Sequence, residues 1–260
     1  MKLELYYPSA ALQPFIKSYT LVQSDSEMHN HILPDTSLIM AFRVEGNLTL
    51  SENGISQSMP ASIISGLRKS VRFVGYSKNS TALLVKFKEG MASAFFQLPI
   101  HRLFGESLDL EDLIPRDKVQ ALEERLSLAE SRLQRIQLVE QFLLSLLKSS
   151  FTDPLVCYAL QKMILAKGNI KIKDLLSDLP TSRDPFEKKF RRFVGTSPKQ
   201  FAALLRMKHF IEVYTQAGTP NNLTESAHAA GYYDQPHLIK DFREFTGQSP
   251  RDFFKTASFW

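Results

Sequence analysis

One twelve-residue stretch occurs twice in this chain, and it constrains the fold more tightly than any other feature. Residues 190–201 read Phe190-Arg-Arg-Phe-Val-Gly-Thr-Ser-Pro-Lys-Gln-Phe201 and residues 242–253 read Phe242-Arg-Glu-Phe-Thr-Gly-Gln-Ser-Pro-Arg-Asp-Phe253; the offset is 52 with no gap, and seven of the twelve positions are identical. Whatever one copy folds into, the other must fold into as well. Phe186, Phe190 and Phe193 in the first copy, and Leu238, Phe242 and Phe245 in the second, are spaced i, i+4, i+7, which sets them on one face of a helix. Gly195 and Gly247 follow where a helix stops by turning left-handed, at no steric cost to glycine. Ser197-Pro198 and Ser249-Pro250 then open a further helix, serine as N-cap and proline at the first helical position. Upstream, Ser182 and Asp234 occupy equivalent places and are suited to cap the repeated helices. Pro185 and Pro236 fall in their first turns, where a missing N–H costs little.

An amphipathic helix is predicted before each copy, over 172–179 and 223–230, joined by Pro180-Thr181 and Gly231-Tyr232-Tyr233. Two helices and a tight turn make either a helix-turn-helix, whose second helix enters the DNA major groove, or a helical hairpin in a bundle. Charge separates the two. Residues 1–150 hold 16 Lys/Arg and 16 Asp/Glu, whereas residues 151–260 hold 16 and 11, so the whole net charge of +5 lies in the half that carries the repeat. Lys188, Lys189, Arg191 and Arg192 cluster on the first repeated helix, and Lys240 and Arg243 on the second. A basic face on such a pair is the footprint of a phosphate-binding surface. The stretch from Pro198 to about Thr215 holds no helix breaker, and a helix of that length spans ~27 Å. Two readers on one face of a duplex need a separation of ~34 Å, which a stiff connector of this length and its end offsets can bridge.

A chain of 260 residues suggests two domains with ample core. The single Cys157 excludes an internal disulfide and a cysteine metal cluster. The N-terminus has no signal-peptide pattern and no apolar run approaches membrane-spanning length, so a cytoplasmic, nucleoid-associated location with no membrane contact is expected.

Residues 1–110 read as short strands: 38–42, 48–50, 62–64, 71–74 and 83–87, punctuated by Gly46-Asn47, Asn53-Gly54, Ser65-Gly66 and Gly75. Pro8 to Tyr19 reads as a short amphipathic helix with Leu12, Phe15, Ile16 and Tyr19 turned inward. The composite is a β-rich sandwich or barrel, a form that often encloses a ligand cavity. His29-x-His31 with Asp35 nearby offers the start of a metal site on a strand, yet a third ligand at supportive spacing is missing, and no hydrolase triad, P-loop or dinucleotide fingerprint is present. No metal, cofactor or catalytic residue is therefore assigned. Residues 116–148 turn helical, with Glu140 interrupting the apolar period. They form either one long helix able to make a coiled-coil homodimer or, the favoured reading, two helices broken near Ser127–Ser131. A linker over 149–154 follows, and Pro154 opens a helix that ends at Gly168-Asn169.

Residues 154–254 resemble the DNA-binding domain of AraC-type (AraC/XylS) transcription regulators. The second unit carries the motif, from Ala227-His-Ala-Ala-Gly231 through Asp234-Gln235-Pro236-His237 and Phe242 to Gly247-Gln-Ser249-Pro250; the first is looser, with Leu176 where the family has a small residue and Arg183-Asp184-Pro185 ahead of Phe186. The N-terminal half is similar to sensor-type domains that precede this domain, through Leu33-Pro34-Asp35, Ser65-Gly66 and Val85-Lys86-Phe87. The resemblance implies an α+β protein: a β-rich, cupin-like sensor domain over 1–150 with a helical tail at 116–148, and an all-α domain over 151–260 with two helix-turn-helix units joined by a long helix. It implies a bacterial one-component regulator rather than an enzyme, binding double-stranded DNA in two successive major grooves with helices at about 183–194 and 235–246, and answering to a small effector. The recognition helices would present Arg183, Asp184, Glu187 and Lys188 in the first unit and Gln235, Pro236, Ile239 and Lys240 in the second, with His237 on a less defined face. Arg183 or Lys188 suits guanine and Gln235 suits adenine, while Lys189, Arg191, Arg192 and Arg243 suit phosphate. The competing readings are a metal-dependent barrel enzyme fused to a basic helical module, and a helical protein-interaction module.

Overall fold

The structure, a computed structural model, describes residues 1–52, 55–148, 153–216 and 223–256. The Asn53-Gly54 turn and most of the expected linker, 149–152, lie outside the described residues.

The N-terminal half is a two-sheet sandwich. Strands β1 (Lys2–Tyr6), β2 (Ile16–Ser24), β4 (Ile39–Glu45), β7 (Ser62–Ser65), β9 (Ser80–Phe87) and β10 (Ser107–Asp109) form one antiparallel sheet in the order β1-β2-β9-β4-β7-β10. Strands β3 (Met28–Ile32), β5 (Leu48–Glu52), β6 (Ile55–Ser58) and β8 (Arg72–Tyr76) form the second, ordered β3-β8-β5-β6. Strand period sorts the side chains: on β2, Tyr19 and Leu21 turn to the main core, while Val22 turns to the facing sheet and meets Val74 and Tyr76. Behind the larger sheet lie α1 (Arg116–Leu128) and α2 (Arg132–Leu146), the break between them capped by Ser131, which accepts from the Gln134 N–H at 3.2 Å. Glu140, the interruption in the apolar period, turns to the sheet and accepts from the Tyr19 hydroxyl at 3.2 Å and the Ser9 N–H at 2.8 Å.

Two expectations are corrected here. Pro8 to Tyr19 is no helix: a turn at Ser9–Phe15 gives way to β2, which pairs with β1 on one side and β9 on the other. Of the four residues expected inward, Leu12, Ile16 and Tyr19 are fully buried and Phe15 is partly so, but sheet pairing on both sides of a β-branched run outcompeted the helical period. Gly75 is not a turn. It sits inside β8, where a Cβ would stand 2.4 Å from Thr49 Oγ1 on the neighbouring strand.

The C-terminal half continues with α3 (Pro154–Leu165), α4 (Ile172–Ser177), α5 (Arg183–Val194), α6 (Pro198–Gln216), α7 (Leu223–Ala229), α8 (Gln235–Thr246) and α9 (Pro250–Thr256). Asp153 caps α3, accepting from Leu155 and Val156 N–H groups. The apolar core does not divide at residue 150. One cluster runs from Leu12 in the sandwich through Phe142 to Phe190 and Leu205, so α3, α4, α5 and the first half of α6 are bedded against the β half. A second cluster gathers Leu204, Met207 and Phe210 of α6 with Leu238, Phe242 and Phe253. The long helix thus has one half rooted in each core. The loop 33–36 ties the sandwich to its second half: Leu33 packs on the second cluster, and Asp35 pairs with Lys86 of β9 and, at 3.6 Å, with Lys208 of α6. Burial alone would raise the Asp35 carboxyl, but the two lysines and the Thr36 N–H outweigh it and hold its pKa down at about 2.

Candidate nucleic-acid interface

Each repeated helix is built the way its sequence predicts. Gly195 and Gly247 take φ of 100° and 73° and end α5 and α8, each N–H returning to the carbonyl four residues back, on Arg191 and Arg243. Ser197 and Ser249 accept from the Gln200 and Asp252 N–H groups and start α6 and α9. At the front ends the copies differ: Asp234 accepts from the His237 N–H at 2.8 Å, whereas the Ser182 side chain makes no cap hydrogen bond.

The apolar face of α5 is turned inward. Phe186 and Phe190 are buried beside Phe201 of α6, and Gly195 abuts Ile100 in the 3-10 turn Ile100–Leu103 of the β half. That leaves Arg183, Asp184, Lys188, Arg191 and Arg192 exposed, with Glu187 partly so. Arg183 Nε donates to Glu187 at 3.0 Å, one turn away. This local pair balances an acidic residue on an otherwise basic helix face. Lys189 points elsewhere, its ammonium 2.8 Å from Asp153 at the start of α3; it ties the reading helix to its support.

On α8 the buried set is Leu238, Phe242 and Phe245, with Phe242 edge-on to Phe210 of α6 at 5.7 Å. Pro236, His237, Lys240 and Arg243 are exposed, and Gln235 and Ile239 partly exposed. His237 turns along its own helix: its ring lies 3.6 Å from Asp241 and edge-on to Tyr232 at 5.3 Å. Burial raises the Asp241 carboxyl, against the pull of His237 and Arg206.

The two units are locked to one another as well as to α6. Gly231, in the turn before α8, lies so close to Asn169 in the turn before α4 that a Cβ would come within 2.8 Å of it. Arg206, midway along α6, donates to the Gly168 carbonyl at 3.0 Å and stands over the Tyr232 ring at 5.8 Å, touching both units. Sequence reasoning passed over Arg206; only the meeting of the two turns marks it. The two histidines singled out on a strand do share the outward face of β3, where His31 is edge-on to Phe73 at 4.6 Å and His29 lies 3.9 Å from Glu27. Asp35 is engaged with its lysines instead.

Residues 175–256 match the model of a helix-turn-helix domain, and residues 4–109 match a domain whose function is not known. The C-terminal part of the chain thus carries a helix-turn-helix domain. Among solved structures the chain is similar to ToxT from Vibrio cholerae, at 15% identity and a TM-score of 0.50 over 93% of this chain and 98% of that one. A smaller likeness, at 12% identity and a TM-score of 0.25, is to a cupin-2 domain protein from Shewanella frigidimarina, over 33% of this chain and 78% of that one. No curated protein matches the sequence. The ToxT likeness spans both halves, so the arrangement of a β-rich domain ahead of paired helix-turn-helix units is a shared fold. Among the described residues no helix is long and apolar enough to cross a membrane.

Proposed function

We propose that the chain is an AraC-type transcription regulator that reads two successive major grooves of double-stranded DNA with α5 and α8, its C-terminal half of residues 151–260 gripping the duplex and its N-terminal half of residues 1–150 modulating that grip. The observation that carries this reading is the pair of glycine-stopped helices on one connector, each with its apolar face buried, and with Arg183, Lys188, Arg191 and Arg192 of α5 and Lys240 and Arg243 of α8 in solvent. In it, Arg183 or Lys188 takes guanine and Gln235 adenine, as their donor and acceptor patterns favour, with Asp184, Glu187, Pro236, Ile239 and Lys240 completing the base-facing turns. Arg191, Arg192 and Arg243 hold phosphate. Lys189 and His237 act from behind, through Asp153 and Asp241.

Modulation has a physical route, because α5 rests on the β half and the Asp35 loop reaches α6. A small molecule that shifts the sandwich would act on both reading helices. The exposed Leu128 and Leu133 at the α1–α2 corner, 72% and 63% accessible, support a homodimer through this region. The protein works as a cytoplasmic binding protein without turnover of its own.

The test is selection of bound sequences from a random duplex library by the full chain, repeated with Lys188→Ala and Lys240→Ala. Each loss is expected to cost ~1–3 kcal/mol at its own base pair and relax preference there alone. Binding indifferent to sequence, or selection unchanged in both variants, would overturn the reading.

A further inference from the structure

The two reading units share a fold but not a charge. Between residues 183 and 194, α5 carries five Lys/Arg and two Asp/Glu, a balance of +3; between 235 and 246, α8 carries two of each, a balance of zero. The difference is positional. At the repeat offset of 52, Lys173, Lys189 and Arg192 face Glu225, Asp241 and Glu244.

A groove of about 650 Å³ lies beside the first unit, between α4, the start of α5 and α6. It is lined by Lys171, Lys173, Arg183, Lys199 and Arg206 around a mostly apolar wall of Ile170, Ile172, Leu176 and Ala202, and none of its lining residues is acidic. Lys171, Lys173 and Lys199 are exposed, and among the described residues none of the three has a carboxylate at ion-pair distance. Lys171, Lys173 and Lys199 converge on this concave surface beside Arg206 and beside Arg183, which Glu187 already pairs; the three lysines repel one another in the free protein, a cost recovered when an anion with distributed charge lies across them. The groove also has a direction. Arg183 opens the first reading helix, so the rim is on the side presented to bases, and Arg206 reaches the turns of both units.

We propose that this groove seats the sugar–phosphate backbone of the duplex between the two major-groove segments, so that the first unit supplies most of the phosphate grip and the second, electrically balanced, mainly base readout. The inference rests on the DNA-reading function above and divides it unequally. Among the described residues the second unit has a weaker rim: Leu223, Glu225 and Gln235 stand where the first has Lys171, Lys173 and Arg183, while Arg251 keeps the charge of Lys199.

Salt titrations of duplex binding by the full chain test this, on a selected sequence and on a scrambled duplex of equal length. Each lost phosphate contact flattens the slope of log K against log salt by about 0.9. Lys171→Ala with Lys173→Ala is expected to flatten it by nearly two on both duplexes and to leave the selected sequence unchanged. Glu225→Lys, an exposed substitution on α7, is expected to steepen it on both. Unaltered slopes in the double variant would overturn the proposal while sequence selection by the wild type leaves the DNA-reading function standing. If instead the wild type selects nothing yet keeps its slope and the double variant loses it, the grip stands and the reading falls. Decanoate as a probe closes the remaining route: a wild-type melting rise with decanoate that the double variant loses, with slopes unchanged, makes the groove a small-molecule site and overturns the proposal.

Discussion

Asp35 is the residue on which the two halves of the molecule exchange charge. Its carboxyl is held near 2 by Lys86 and Lys208, below the unfolded value near 4, so its stabilisation is complete above about pH 4 and is lost as pH falls toward 2. The expected contribution at neutral pH is ~2 kcal/mol. Asp35→Asn should lower stability in urea at pH 7 by about that amount, with the gap to wild type narrowing between pH 4 and 2; a constant gap would mean the lysines are not its source. The glycine stops make a second residue-level test. Both Gly195 and Gly247 hold positive φ, but only Gly195 has a neighbour, Ile100 Cγ2, within 3.0 Å of an added Cβ. Left-handed backbone costs an L-residue ~1–2 kcal/mol, so Gly247→Ala should lower the melting temperature modestly and Gly195→Ala further. Equal losses would place Ile100 out of the argument. The glycines were legible in the sequence because a stop before Ser-Pro has few other meanings. Asp35 was not: it stood near two histidines in sequence, and only the fold turns it toward Lys208.

Among the elements, helices with a strong period and a glycine stop or a serine or aspartate N-cap were read almost to their bounds. The 19-residue α6 and the paired α5 and α8 are where the repeat put them. Strands fared unevenly. β1, β2, β3, β6 and β10 were missed as strands or, for β3, entertained only through its histidines, because half-buried strands with polar alternation resemble loops until a partner is known. β2 shows the conflict directly: Leu12, Ile16 and Tyr19 sit at helical spacing, yet the chain between them turns and then extends. The candidate site was legible as a set of residues but not as a set of partners, since neither Lys189 with Asp153 nor Arg206 across two turns leaves a local signal. The split of apolar clusters along α6 leads to a prediction at this scale. Phe242 belongs to the second cluster and Phe190 to the core shared with the sandwich. Truncating either to alanine removes a fully buried ring, a loss of roughly 3–5 kcal/mol. In hydrogen exchange, Phe242→Ala should release protection over 204–216 and 223–254 while the sandwich keeps its own, whereas Phe190→Ala should lower protection in both halves. A uniform loss in Phe242→Ala would join the two clusters into one cooperative unit.

For the molecule as a whole, the reading depends on a fixed distance. α6 sets the span, the Gly231–Asn169 contact sets the angle between the units, and the β half supports the first unit from behind while its Asp35 loop holds the bar. A chain so braced should tolerate one spacing between its half-sites and few others, as paired readers on a rigid frame do. The most direct test is binding of the full chain to a selected duplex and to versions with one to ten base pairs inserted between the two protected segments, followed by footprinting. The account predicts two protected segments about one helical turn, ~10 base pairs, apart centre to centre, and a sharp loss of affinity when five base pairs turn the second groove to the far side. Affinity that stays level across the insertion series, with two protected segments moving apart, would contradict it.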